Sequence, residues 1–300
     1  MTPDVPTNGP AFEAMMRAID SKLANDGKRI DDRALLAVRD VSLKYMISIP
    51  LDGGSRLPPD LAVYAPLGEA IHRWYQENYG ERLMIDPCPG QVVVPIDADL
   101  YLLRVPRLFG EVTFVAVREF LDTPKIARGP VTQNIVQLLD GMTPARASRL
   151  SDGTLRKLSA IFEPVLLSFY TLESTNHELM YIARGDVATA VAKLMDRSDR
   201  YGESKWASLQ AAEKVLKAAI SLHGQSFKFT HGLKQLNNTA KAAGIDIGDS
   251  AIFDLIQCKP GIRYGEEPCS RNEALLAHHA SLDLVNRLGA AGANFESGLG

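Results

Sequence analysis

Arg271 and His278, in the stretch "SRNEALLAHH" at 270–279, are the first residues in this chain whose types and spacing suggest chemistry. Seven positions make two helical turns, so on a helix both side chains fall on one stripe. Histidine titrates near neutrality and can take a proton from a hydroxyl. Arginine presents a planar fork of donors to phosphate oxygens. Such a pair could cleave RNA without a metal. The imidazole would remove the 2′-hydroxyl proton, and the guanidinium would hold the charge that grows on the phosphorane. The competing reading is structural. A chain this rich in Arg holds about one such pair by chance, and His278 and His279 border the Leu275–Leu282–Val285 stripe, where either could be a packing histidine.

The element that must position the pair is a closing helix from Arg271 to about Leu288. Ser270 stands three residues before Glu273, which is the pattern of a capping box. Upstream of it, "SKWASLQAAEKVLKAAISLHG" puts Trp206, Leu209, Leu216, Ala219 and Ile220 on one face and stops at Gly224. "THGLKQLNNTAKAAG" starts at Thr230 and stops at Gly244, and "DSAIFDLIQC" gives a short third helix. "PGIRYGEEP" is a turn-rich link to the last one. Four helices with apolar stripes predict a small bundle over 200–290, followed by a flexible tail at 291–300.

The first 195 residues read as a separate α+β domain. Helical spacing covers 11–25, about 35–47 and 66–80, then 154–170 and 186–195, and helical signal also marks 131–142. The segment 82–121 is rich in Val, Ile, Leu and aromatics, broken by Pro-Gly and Asp-Ala-Asp turns. It predicts short strands near 83–86, 91–96, 99–105 and 111–119, arranged as an antiparallel meander. The polar stretch "DRSDRYGES" at 196–204 is the expected domain boundary. The fold class is therefore an α+β N-terminal domain, with helices and a small antiparallel sheet, and an all-α four-helix bundle after it.

Bulk properties exclude some partners. A net charge of −3 gives no electrostatic case for general nucleic-acid or membrane binding, although a local basic patch is allowed. No apolar run is long enough to cross a bilayer. Three scattered cysteines without a C-x-x-C pair form neither a zinc site nor a disulfide framework, and reduced thiols point to the cytoplasm. Neither a metal nor another cofactor is expected. The motifs G-x-x-x-x-G-K, H-E-x-x-H and G-x-S-x-G do not occur in the sequence.

The run "ASLQAAEKVLKAAISLHG", then "FTHGLKQL", then "GIRYGEE" and an Ala- and Leu-rich closing helix resembles the higher eukaryotes and prokaryotes nucleotide-binding (HEPN) domain. The residues that carry the resemblance are Ala207, Ala211, Glu213, Lys214, Leu216 and Lys217, then Thr230, His231 and Leu233, then Arg263 and Tyr264. The resemblance implies an antiparallel helical bundle that commonly forms a homodimer. It implies RNA or a nucleotide as ligand and toxin–antitoxin or phage-defence systems as the setting. Many members are metal-independent endoribonucleases with an Arg-x(4–6)-His motif, which would make Arg271 and His278 catalytic. Asn272 fits the polar residue that follows the arginine. His279 and Ala280 depart from the aromatic that often follows the histidine, and Arg263-Tyr264 is more typical of members without cleavage activity. Lys214, Lys217, His231 and Arg263 are the candidates for RNA or phosphate contact. The two lysines also read as a solvated face, and His231 as a helix-start residue that orients its loop. The alternative function is a non-catalytic dimerisation or partner-binding protein whose N-terminal domain carries the recognition.

Overall fold

The computed structural model describes residues 5–28, 30–50, 62–83, 88–108, 111–122, 131–227 and 230–296. The chain divides into two compact units, Met1–Asp86 and Pro87–Gly300. The expected boundary at 196–204 falls inside the second unit.

Among the described residues, the first unit has the helices α1 (Gly9–Asn25), α2 (Ile30–Tyr45) and α3 (Ala65–Tyr79). Their apolar positions recur at helical spacing, so Met16 and Leu23, Ala37 and Val41, and Ile71 and Tyr75 meet in one core. Polar groups at its edge are paired. The Trp74 indole N–H donates to Glu13 at 2.7 Å, and Arg33 reaches Asp20 at 3.5 Å.

The second unit opens with a hairpin, β1 (Gly90–Ile96) and β2 (Asp99–Val105), paired antiparallel from Gly90–Val105 to Ile96–Asp99. Its turn holds Asp97 at φ 56°, and the Asp97 carboxylate takes Arg146 at 2.6 Å. Gly90 has to be glycine, because a Cβ there would lie 2.0 Å from the Phe169 ring. The remaining strands, β3 (Val112–Val115) and β4 (Val131–Asn134), pair in parallel. This corrects the expected meander. Fifteen residues separate these two strands, enough for the chain to come back and run the same way, whereas a tight turn would force them antiparallel. The stretch 131–142, expected as helix, is strand β4 and a 3-10 turn at Ile135–Leu138. Of the strand expected near 83–86, residue 83 ends a 3-10 turn and the rest lies outside the described residues.

Helices follow: the short α4 (Pro144–Ala147), α5 (Asp152–Ser174), α6 (Glu178–Leu194), α7 (Tyr201–Leu222), α8 (Leu233–Ala242), the short α9 (Ile252–Ile256) and α10 (Arg271–Ala290). The central helix α7 packs most extensively on α6 and next on α10. The bundle therefore includes α6, which sequence spacing alone had assigned to the domain before it. Ser168 ties α5 to α10 by donating to the Leu282 carbonyl at 2.9 Å, and Asn286 donates to the Pro164 carbonyl at 2.8 Å. Residues 291–296, expected as part of a flexible tail, are docked. Ala293 is buried, Asn294 donates to the Leu222 carbonyl, and the Glu296 N–H donates to Thr175 Oγ1 at 3.0 Å. No helix among the described residues is long and apolar enough to cross a membrane.

Candidate nucleotide-binding site

The capping box forms as its spacing predicts. Ser270 accepts from the Glu273 N–H at 3.2 Å, and Glu273 accepts from the Ser270 N–H at 2.8 Å. These bonds start α10 and set Arg271 at the surface, where its guanidinium donates to the Ala98 carbonyl of the hairpin turn at 3.1 Å. His278 lies two turns on, about 10 Å along the axis. It is 0% exposed, and neither ring nitrogen has a hydrogen-bond partner. Burial, and then the neighbouring His279, pushes its pKa down to about 3. From Ala274 to Leu288 the buried positions of α10 cover most of the helix, including the stripe that carries Arg271 and His278, and leave open the side of Leu276 and Asp283. A stripe that is open at the first turn is therefore covered two turns later. A neutral imidazole without solvent access cannot take a proton from a ligand at the surface, so the expected Arg271/His278 site is not assembled. His279 is nearly as enclosed and spends one ring nitrogen on the Val93 carbonyl at 2.7 Å.

Lys214 and Lys217 of α7 are also committed to the protein. Lys217 is buried and donates to Glu213 Oε1 at 2.6 Å, with its ammonium 5.4 Å from the Phe227 ring centre. Lys214 donates to Asp186 at 2.5 Å, and burial raises the Asp186 carboxyl more than this lysine lowers it. A helix facing α6 on one side and α10 on another has little solvated surface, and its charges pair inward. His231 is well exposed, and its Nδ1 lies 2.6 Å from Glu213 Oε2. Glu213 Oε1 is taken by Lys217, and its Oε2 faces the imidazole. The pair holds the start of α8 against α7, with the Trp206 ring 6.0 Å from the imidazole.

Arg263 is the remaining candidate. It lies in a 3-10 turn, Pro260–Tyr264, closed by Gly265 at φ 77°. Its guanidinium sits 5.5 Å from the Tyr264 ring centre, and that ring is 70% exposed. The turn borders a cleft of about 550 Å³, whose other wall is the start of α7, residues 198–203. The two walls touch at Gly202, where a Cβ would fall 2.2 Å from the Ile262 carbonyl oxygen. Arg200, Asp199, Glu203 and Glu267 also line the cleft. Glu203 pairs with Lys193 and Arg200, Glu267 with Lys259, and Asp199 accepts from the Tyr201 hydroxyl. Arg263 has no hydrogen bond or ion pair among the described residues. Cys269, at the cleft edge, is raised by burial and stays a thiol.

Residues 177–259 match the family model of the HEPN domain. The match begins at His177, the N-cap of α6, and ends just before the Arg263 turn, so it spans α6 to α9 and excludes Arg271 and His278. This agrees with the packing of α6 on α7, which brings α6 into the same bundle as the rest of the matched segment. The N-terminal region matches no family. No curated protein and no solved structure matches the chain. Glu213 and Tyr264, which border two of these candidates, were not themselves singled out as candidates by spacing. The exposed Arg-Tyr dipeptide was a readable signal for the second, while Glu213 shows its role only once α8 is packed against α7.

Proposed function

We propose that the C-terminal region is an RNA- or nucleotide-binding module of the HEPN type that does not cleave through Arg271 and His278. HEPN domains are generally RNA-related or nucleotide-binding. The observation that carries the non-cleaving half is the burial of His278 with both nitrogens unpartnered. In a toxin or phage-defence setting, such a module would recognise RNA rather than destroy it.

The test is labelled RNA incubated in EDTA with the wild type, Arg271→Ala and His278→Ala. Retention of intact RNA by the wild type and Arg271→Ala is the expected result. EDTA-resistant cleavage that disappears in both variants would refute the non-cleaving half, and failure to retain any RNA would refute the binding half. Homodimerisation through the C-terminal bundle belongs to the same proposal. Leu255 and Leu276 stay about half exposed beside α9 and α10, where a second copy could cover them. Light scattering after size exclusion should give twice the 32.8 kDa chain mass.

A further inference from the structure

We infer that the cleft between residues 198–203 and 262–269 binds single-stranded RNA, with one unpaired base stacked on Tyr264 and its phosphate on Arg263. This rests on the reading of the C-terminal region as an RNA-binding module, and it names the site and the form of RNA.

Three observations converge on it. The first is an exposed aromatic ring on a fixed turn. Tyr264 is 70% exposed and lies outside the apolar core clusters. Every base has a π face, so a surface ring of this kind accepts any unpaired base without reading its sequence. The second is a guanidinium without a carboxylate. Of the three carboxylates lining the cleft, Glu203 meets Lys193 and Arg200, Glu267 meets Lys259 and Asp199 accepts from the Tyr201 hydroxyl, and none of them pairs with Arg263. Its planar fork suits phosphate oxygens, and stacking over Tyr264 keeps it beside the ring. The third is rigidity. Gly202 seats the turn directly on the start of α7, and Gly265 closes it in the left-handed region. A preformed turn loses little freedom on binding. The volume, about 550 Å³, lies in the usual range for a small-ligand site. Arg and Tyr also dominate protein–protein contacts, but the HEPN match favours RNA.

The test is fluorescence anisotropy of a labelled ten-nucleotide oligouridylate, alone and annealed to its complement, over a salt series. The single strand should bind more tightly than the duplex. Tyr264→Ala should weaken single-strand binding about tenfold, and Tyr264→Phe should keep it within about twofold. Arg263→Ala should weaken it about tenfold and reduce the log–log salt slope by about 0.7. Both side chains are on the surface, so unchanged circular dichroism is expected for each variant. If the wild type binds the oligonucleotide and both alanine variants bind equally well, the cleft is not the site and RNA contacts lie elsewhere. If the wild type binds neither form, the RNA reading itself fails and the cleft goes with it.

Discussion

Glu213 and His231, eighteen residues apart, meet at 2.6 Å, and the same carboxylate holds Lys217 at 2.6 Å through its other oxygen. Glu213 and Lys217 are buried, whereas the imidazole faces solvent. The carboxylate thus serves as the joint between α7 and the beginning of α8.

Removing one half of this buried ion pair should be costly. Glu213→Gln removes the carboxylate charge that Lys217 and His231 both meet, at a cost of about 3–5 kcal/mol in the stability of the second unit. Replacing both partners by leucine removes both charges and should restore much of the loss. Chemical denaturation of the single and double variants distinguishes a charge effect from a packing effect.

His278 should make the second unit acid-sensitive. Its folded pKa is about 3 against an ordinary value near 6.5. The unfolded chain therefore takes up a proton below pH 6.5 that the folded chain refuses until about pH 3. Stability falls as the pH drops through that window and is flat above it, and at pH 5 the loss is about 2 kcal/mol. Burial lowers His279 too, which adds in the same direction. His278→Leu should flatten most of the slope between pH 7 and pH 5. It should also stabilise the fold by relieving two unpartnered nitrogens. Melting temperatures at the two pH values measure both effects.

Gly202→Ala should damage the cleft from behind. The new Cβ meets the Ile262 carbonyl oxygen at 2.2 Å, and both atoms belong to the backbone or are fixed to it. The turn must move, at about 1–3 kcal/mol. RNA affinity should fall along with the melting temperature, unlike Tyr264→Ala, where affinity should fall alone.

Ser270→Ala breaks the capping box of α10 and should cost about 1 kcal/mol. In a unit of this size that is a melting shift of about 2–4 °C. Arg271→Ala loses only a hydrogen bond from an exposed side chain to the Ala98 carbonyl and should shift melting less.

Local signals in the sequence were dependable where the chemistry is local. Ser270 and Glu273 are three residues apart and satisfy each other's needs, so the start of α10 could be read directly. Two residues seven apart on a helix do share a stripe, but spacing does not say what covers that stripe. Arg271 is open and His278 is enclosed because other helices close around α10 after its first turn. The partners of Lys214 and Lys217 were legible to different degrees: Asp186 reaches Lys214 from α6 through packing, whereas Glu213 stands one turn before Lys217 on α7, and only the burial of that pair depends on packing. The parallel pairing of β3 with β4 depends on a connection whose path has no periodicity to read. The boundary expected at 196–204 is a mostly exposed polar turn only up to residue 200, after which α7 begins and Ser204 is buried, and the helices on either side of it pack on each other more extensively than any other pair in the unit.

The docked segment after α10 has a practical corollary. Asn294 and Glu296 fasten the chain's last described stretch to the ends of α7 and α5. A stop codon placed at 291 would strip away that clasp and uncover the part of the core that Ala293 closes. Shortened versions of the protein should keep residue 296, and purification tags on this side belong after it.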